Sequence, residues 1–372
     1  MVRKEAKEGL RREVLEVLGR DAERPLSRRD LQGHLRLGRR DHDLLEATLD
    51  EMASAGEVLL IKGNRYGLPK RMNLVVGRLT GHPDGFGFVR PEEGGGEDVM
   101  VRQREMNTAL HGDRVVVRVE HTSRGARREG RVIRVLERGV VRVVGRLERT
   151  GDHGWLSPSD PRLATDIHIP AQGMMPDAET GRMVVAQIVD YAARTRTPEG
   201  KIIEVLGEAG DPGVDEAVVI RTHGLPHEFG PAARREAAHV PRTVSRADAA
   251  GREDRRDRFI VTIDGETARD FDDAVGLEEN PDGTRTLEVH IADVSHYVRP
   301  GSEIDREAVE RGTSVYFPGM CIPMLPEELS NGICSLNPGE DRLAFAAFMT
   351  VDREGRVIAS RFARTVIRSA AR

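Results

Sequence analysis

Apolar residues near the start of the chain recur at helical spacing. Leu10, Val14, Val17 and Leu18 share one face, Leu31 and Leu35 a second, and Leu44, Leu45, Leu49 and Met52 a third, which predicts three amphipathic helices. Ser27 before Arg28-Arg29-Asp30 fits an N-cap with an acid three residues on, and Gly56 after Ala55 fits a helix stop. The run Val58-Leu59-Leu60-Ile61, the turn Gly63-Asn64 and Arg65-Tyr66-Gly67-Leu68 then predict a short hairpin. Three helices followed by a hairpin predict a winged helix over residues 1–70. Such modules contact nucleic acid or dock proteins, and the pattern leaves both open.

Beyond residue 70 the spacing turns strand-like and repeats itself. Gly77-Arg78-Leu79 recurs as Gly145-Arg146-Leu147, Gly85-Phe86 as Gly154-Trp155, Asp98-Val99-Met100-Val101 as Asp166-Ile167-His168-Ile169, and Gly130 to Leu136 as Gly200 to Leu206, an offset of 68 to 70 residues. Each unit holds five short β-rich runs between Gly, Pro and Asp turns, the requirement of a small OB-type barrel. Two tandem barrels are therefore expected, at 72–138 and 140–207. In the first, Asp84-Gly85-Phe86-Gly87-Phe88-Val89 puts Phe86 and Phe88 on one strand face, either as core or as a platform on which bases stack. Flanking glycines and the basic stretch that follows favour the platform, and the segment resembles the cold-shock signature. The second unit offers only Trp155 at the matching place, so a weaker face is expected there.

Residues 208–258 read as a charged connection with a turn at Asp211-Pro212-Gly213, a short helix from Pro231 to Ala238 and a charge run from Arg252 to Arg258. His223 and His227 are four apart, but Gly224 and Pro226 between them rule out the helical pair a zinc site would use. From 259 onward strands mix with short helices. Thr286 to Val294 reads as a buried strand, Ser302 caps a helix running to Arg311 with Gly312 as its stop, and Leu343 to Val351 and Arg356 to Ile367 form a hairpin.

Net charge over 372 residues is −5, which hides an uneven distribution. Arg114, Arg118, Arg124, Arg127, Arg128, Arg131, Arg134, Arg138, Arg142 and Arg146 crowd the middle, whereas acid concentrates after residue 250. A basic middle and a carboxylate-rich later part suit a protein that guides a polyanion to a metal, although the arginines could equally be solvated surface. With only Cys321 and Cys334, a disulfide framework or zinc site is disfavoured and a reducing, cytoplasmic setting expected. No apolar run approaches the ~18 residues of a membrane span, and charged residues at the N-terminus precede no apolar core of a signal peptide.

Four aspartates within ten residues carry the chemistry. Asp264 ends the apolar run Phe259-Ile260-Val261-Thr262-Ile263, predicted as a buried strand, and Asp270, Asp272 and Asp273 follow six, eight and nine residues later. This spacing fits neither one helix face nor an EF-hand loop. The cluster is therefore either a solvated acidic turn or a Mg2+ site, in which case metal-assisted phosphodiester hydrolysis follows. Downstream, Tyr316-Phe317-Pro318-Gly319 and Ile322-Pro323-Met324-Leu325-Pro326 form a rigid loop, and Tyr316 either packs beneath it or stacks on a base.

The segments Asp264-Gly265-Glu266-Thr267-Ala268-Arg269-Asp270-Phe271-Asp272-Asp273-Ala274-Val275, His290-Ile291-Ala292-Asp293-Val294, Tyr316-Phe317-Pro318-Gly319 and Ile322-Pro323-Met324-Leu325-Pro326-Glu327 together closely resemble the RNB family of exoribonucleases. The resemblance spans essentially the whole chain and implies a multidomain α+β protein: a winged helix, two OB-type barrels and the N-terminal part of a mixed α/β RNB domain at 259–372. It further implies processive 3′-to-5′ hydrolysis of RNA to nucleoside 5′-monophosphates with Mg2+, acting on single-stranded 3′ ends and structured RNA. On that basis Asp264, Asp270 and Asp273 would hold metal, Asp272 would be essential to hydrolysis, Tyr316 would stack on a base near the 3′ end, and Phe86 and Phe88 would bind RNA. Unlike family members, the sequence stops at Ile367-Arg368-Ser369-Ala370-Ala371-Arg372, before the helical half of the RNB domain with its arginine and glutamate and before the last RNA-binding barrel and basic tail. It is thus expected to be a fragment or truncated product that binds RNA but degrades it poorly. The rivals are a non-catalytic RNA-binding protein and, more remotely, a DNA-binding regulator built on the winged helix.

Overall fold

The computed structural model describes residues 2–20, 24–38, 41–92, 96–120, 128–191, 197–266 and 268–372, with the side chains of 2–6 excepted. Arg124, Arg127 and Thr267 lie outside the described residues. Two compact units are present, Met1–His223 and Gly224–Arg372.

The first unit opens with helices Val2–Arg20, Arg28–Leu35 and His42–Ser54, the strand Leu26–Ser27, and the hairpin Leu59–Ile61 with Arg65–Gly67. This is the element order of a winged helix. Ser27 caps the second helix reciprocally: Asp30 N donates to Ser27 Oγ (3.2 Å) and Ser27 N donates to Asp30 Oδ2 (2.9 Å). The apolar stripes converge on one core of Leu10, Val14, Leu18, Leu31, Leu45 and Leu49, closed by Tyr66 from the hairpin.

Two closed five-stranded barrels follow. The first is built from Leu74–Gly81, Gly87–Pro91, Val99–Val101, Arg114–Glu120 and Glu129–Glu137, the second from Arg142–Thr150, His153–Pro158, Ile167–Ile169, Arg182–Asp190 and Glu199–Glu208. In both, the third strand pairs in parallel with the fifth, and strand order is first, second, third, fifth, fourth, as in an OB fold. The repeated Gly77 and Gly145 explain themselves here. A Cβ on Gly77 would lie 2.1 Å from the Arg90 carbonyl oxygen, and one on Gly145 would lie 2.2 Å from that of Ser157, so only glycine permits the strands to close. Several middle arginines are structural: Arg138 donates to Asp113 (2.8 Å), which is fully buried, and Arg114 pairs with Glu92 (2.6 Å).

Strand register corrects the repeat alignment by two residues. Phe88 lies between Thr80 and Met100, and Trp155 between Glu148 and His168. Trp155 therefore matches Phe88, not Phe86, and His153 takes the place of Phe86. Short look-alike fragments carry no information on pairing, which is what defines equivalence in a sheet.

Residues 208–258, expected as a charged connection, contain the helices Val214–Thr222, Pro231–Ala237 and Arg246–Ala249 and the strand Glu253–Asp254. That strand belongs to the six-stranded sheet of the second unit, ordered Glu253–Asp254, Val357–Arg368, Asp341–Val351, Arg285–Ala292, Asp273–Glu279 and Ile260–Val261. One face buries Ile260, Ala274, Ala292, Ala344 and Ile367 together with Phe271 and Leu336. The other face leaves Leu277, Ile291, Phe345 and Phe362 exposed. The run from Phe259 to Ile263, expected as a buried strand, is buried only on alternate residues: Phe259 and Ile263 are 76% and 81% exposed, whereas Ile260 is buried. Period-two geometry sends odd residues to the open face. The helix Glu303–Arg311 is capped by Ser302 and ended by Gly312 (φ 72°). Among the described residues no helix is long and apolar enough to cross a membrane.

Candidate active site

The aspartates are aimed by the apolar residues between them. Phe271 and Ala274 are buried, so Asp272 and Asp273, which flank neither core position inwardly, turn to solvent, and Asp270 stays partly exposed. Backbone bonds fix the segment. Ala292 N donates to the Asp272 carbonyl (2.9 Å), Leu336 N to the Phe271 carbonyl (2.9 Å), and Asp273 begins a strand opposite Ile291. Ser335, 1% exposed, acts at the same point: its hydroxyl accepts from Phe271 N (3.0 Å) and donates to the Arg269 carbonyl (2.8 Å). Arg342, also buried, donates through Nε to the Ser335 carbonyl (2.7 Å). Ser335 carried no sequence signal beyond being a polar residue between Cys334 and Leu336, and Arg342 none beyond being an arginine between Asp341 and Leu343.

Asp264 comes from the other side, just past the strand Ile260–Val261. Among the described residues its buried Oδ2 has no hydrogen-bond partner, and neither has the buried hydroxyl of Thr262. Burial first, then Asp273 and Asp270, raise the Asp264 pKa, with Arg372 opposing. Asp272 is also raised, by desolvation and then by Asp270, Asp273 and Asp264 in turn. Four carboxylates thus share one field, and an orphaned carboxylate oxygen within it fits an oxygen-seeking divalent cation. The set is not assembled as a cage, however: among the described residues no three His, Cys, Asp or Glu side chains are gathered closely enough to hold a metal.

Asp270 is engaged by a neighbouring side chain. The hairpin Val315–Phe317 and Met320–Ile322, turning at Gly319 (φ 87°), presents Tyr316, a residue 66% exposed, and its phenol donates to Asp270 Oδ2 at 2.6 Å. That bond, with burial second, pushes the Tyr316 hydroxyl up to about 12. Tyr316 is therefore neither packed under its loop nor idle. Arg311 anchors the neighbouring proline loop, donating to the carbonyls of Pro226 (2.7 Å), Glu228 (2.8 Å) and Pro323 (3.2 Å). Together Asp270, Tyr316, Cys321, Glu327, Arg269 and Arg372 line a cleft of 910 Å³.

The motif residues His290 and Asp293 serve the scaffold. Asp293 pairs with Arg252, their side chains 8% and 5% exposed, and also accepts from Ser295 (3.0 Å). His290 is fully buried between Glu288 (3.0 Å) and Thr365 (3.1 Å). Burial, then Arg255, pushes its pKa down to about 4.

On the barrels, Phe86 and Phe88 are half-buried on the outer surface, edge to face at 5.6 Å, and His82 stacks on Phe86 at 4.2 Å. The second barrel holds more than the single aromatic expected. Trp155 lies 5.0 Å from His168, which lies 6.1 Å from His153. These rings come from two strands, so linear spacing could not group them.

Comparison with known proteins bears on both regions. The RNB domain model matches residues 252–372, the ribonuclease B OB domain model 77–135, and the cold shock domain model 155–230, so the cold-shock description falls on the second barrel rather than the first. Ribonuclease R of Acidithiobacillus ferrooxidans is 41% identical over 349 residues, covering 93% of this chain and 79% of that protein. Ribonuclease R of Vibrio parahaemolyticus is 41% identical over 351 residues, covering 94% of this chain but 42% of its relative, so the chain spans less than half the length of such relatives. The structure of Mycoplasma genitalium RNase R in complex with ribose methylated single-stranded RNA superposes with a TM-score of 0.75 at 27% identity, covering 80% of this chain and 47% of that one.

Proposed function

Since the chain belongs to the ribonuclease R family, we propose that it carries the carboxylate side of a Mg2+-dependent exoribonuclease that hydrolyses RNA from its 3′ end to nucleoside 5′-monophosphates. The observation that carries this reading is the buried Asp264 oxygen, without a hydrogen-bond partner among the described residues, in a field of three further aspartates beside the exposed Tyr316. A solvated acidic turn would leave every carboxylate oxygen to water and would have no use for the ring.

In this reading Asp264, Asp270 and Asp273 would hold the cation once drawn together by it. When bound, such an ion supplies charge neutralisation at the phosphate and lowers the pKa of a coordinated water. Asp272, whose carboxylate is raised by its surroundings, takes up the proton of the attacking water. Tyr316 offers its exposed face to the base at the 3′ end, and its anchored hairpin orients the terminal nucleotide for in-line attack. Phe86 and Phe88, and the Trp155 cluster, stack on bases of the single strand irrespective of sequence. Residues 1–70 serve as a winged helix, 72–138 and 140–207 as the RNA-gripping barrels, and 259–372 as part of the catalytic domain; substrates include structured RNA, and the setting is cytoplasmic.

Asp272→Asn in the longest available form of the protein tests this. With Mg2+ and a 3′-labelled oligoribonucleotide, mononucleotide release should collapse while RNA binding is retained. Unchanged hydrolysis would remove Asp272 from the chemistry. Binding without hydrolysis in an unmutated form that spans the full length of its relatives would favour a non-catalytic RNA-binding protein instead.

A further inference from the structure

Arg269 stands next to Asp270, among four aspartates within ten residues, and pairs with none of them. The residue is exposed, and among the described residues its guanidinium has no hydrogen-bond or ion-pair partner. Its main chain, by contrast, is pinned: Ser335 Oγ donates to the Arg269 carbonyl (2.8 Å) and accepts from Phe271 N (3.0 Å), one bond on each side of Asp270. The Asp270 carboxylate is taken by the Tyr316 hydroxyl (2.6 Å). Arg372, not Arg269, opposes the rise of the Asp264 pKa, and burial and other aspartates alone act on Asp272. Arg269 instead lines the 910 Å³ cleft that Tyr316 also lines. Around that cleft the described charged residues are Glu266, Asp270 and Glu327 against Arg269 and Arg372, and Arg372 is committed, donating to the Gly265 carbonyl (2.6 Å). A polyanion entering here meets three carboxylates and one unengaged guanidinium, so its phosphates find favourable potential at Arg269.

Resting on the proposed stacking of the 3′-terminal base on Tyr316, we propose that Arg269 is the phosphate-binding residue of this cleft: with the base on the ring, its guanidinium takes a phosphate oxygen of the same terminal segment of RNA. Ring and guanidinium together grip a nucleotide by the two parts that carry no sequence information, the face of the base and the phosphate. The planar fork of N–H donors matches phosphate oxygens in pairs, which a lysine ammonium cannot do. Because no described residue holds the guanidinium, the contact forms without breaking a bond in the protein, without moving the Tyr316 hairpin and without a divalent cation. The carboxylates keep their own partners, and Arg269 supplies the positive charge that lets a phosphate approach them.

The test uses the 372-residue chain in EDTA and an oligoribonucleotide with 2-aminopurine as its 3′-terminal base, whose fluorescence is quenched on stacking. The part of the quenching that Tyr316→Ala abolishes reports the cleft rather than the barrels. Read by that signal, Arg269→Gln should weaken binding several-fold at low salt and lower the slope of log affinity against log salt by about 0.7, the share of one phosphate contact on a single strand. Arg269→Lys keeps the charge and should keep the slope. Both variants should melt with the unmutated chain, since the side chain has no contact to lose. Unchanged affinity and slope in Arg269→Gln overturn the assignment while leaving the stacking on Tyr316 intact, as does a slope lowered equally by Arg269→Lys. Quenching that persists undiminished in Tyr316→Ala shows that the terminal base does not lie on this ring, and overturns the stacking reading together with the role of Arg269.

Discussion

Ser335→Ala should loosen the aspartate segment without touching any aspartate. The hydroxyl is buried and makes two bonds to one short stretch of backbone, accepting from Phe271 N (3.0 Å) and donating to the Arg269 carbonyl (2.8 Å). Alanine removes both and adds none. Each net bond is worth about 1 kcal/mol, and leaving a buried amide or carbonyl unpaired costs about 1–3 kcal/mol. Because the Phe271 carbonyl keeps its bond from Leu336 N, the segment cannot swing away freely to find water, and a combined loss of about 3 kcal/mol follows. For a unit of this size that lowers the melting temperature by roughly 6–12 °C. Calorimetry should show the second unit's transition move down while that of the first, which holds no partner of Ser335, stays in place. The same variant should weaken Mg2+ binding, since Asp270 and Asp272 flank the released residue. A shift below about 2 °C together with unaltered cation affinity would refute the idea that Ser335 sets the posture of the cluster.

Three other expectations follow from contacts already described. Phe88→Ala and Trp155→Ala should each weaken single-stranded RNA binding by roughly 5- to 100-fold in a filter or anisotropy titration at fixed salt; equal affinity for Trp155→Ala would deny the second barrel a stacking face. Arg252→Met leaves Asp293 charged and unpaired in the interior and should destabilise the second unit by about 3–5 kcal/mol in a denaturant titration. His290 has its folded pKa, about 4, below the ordinary 6.5, so the unfolded chain takes up a proton that the folded one refuses. Its contribution to stability is complete above about pH 6.5 and declines as the pH falls toward 4. Side-chain NMR should find the His290 ring, identified by comparison with His290→Asn, untitrated between neutral pH and about pH 5; a midpoint near 6.5 would contradict the burial argument.

Much of this molecule follows from local rules. Helical stripes, the Ser27 cap and the Gly63-Asn64 turn are set by neighbours a few residues apart, and the same holds for the period-two strands of the barrels. The density of aspartates from Asp264 to Asp273 is likewise a local property, and it marked a region of electrostatic stress before any contact was known. Register was beyond that reach. Trp155 matches Phe88 because of which residues lie opposite them, and pairing is a property of two strands at once. So was burial along Phe259 to Ile263, where alternation separates two faces but packing determines which one is covered.

The same divide runs through the candidate site. A run of carboxylates advertises chemistry because charge density is readable in one dimension. Their posture is governed by Ser335, 66 residues from the carbonyl it holds, and by Tyr316, 46 residues from the carboxylate it binds. These bonds exist only once the sheet has brought distant loops within 3 Å of one another, and no spacing rule encodes that approach. Residue type and local pattern chose the kind of chemistry; the closing of long loops, through hydrogen bonds that must be satisfied where water is excluded, chose which side chains hold it ready.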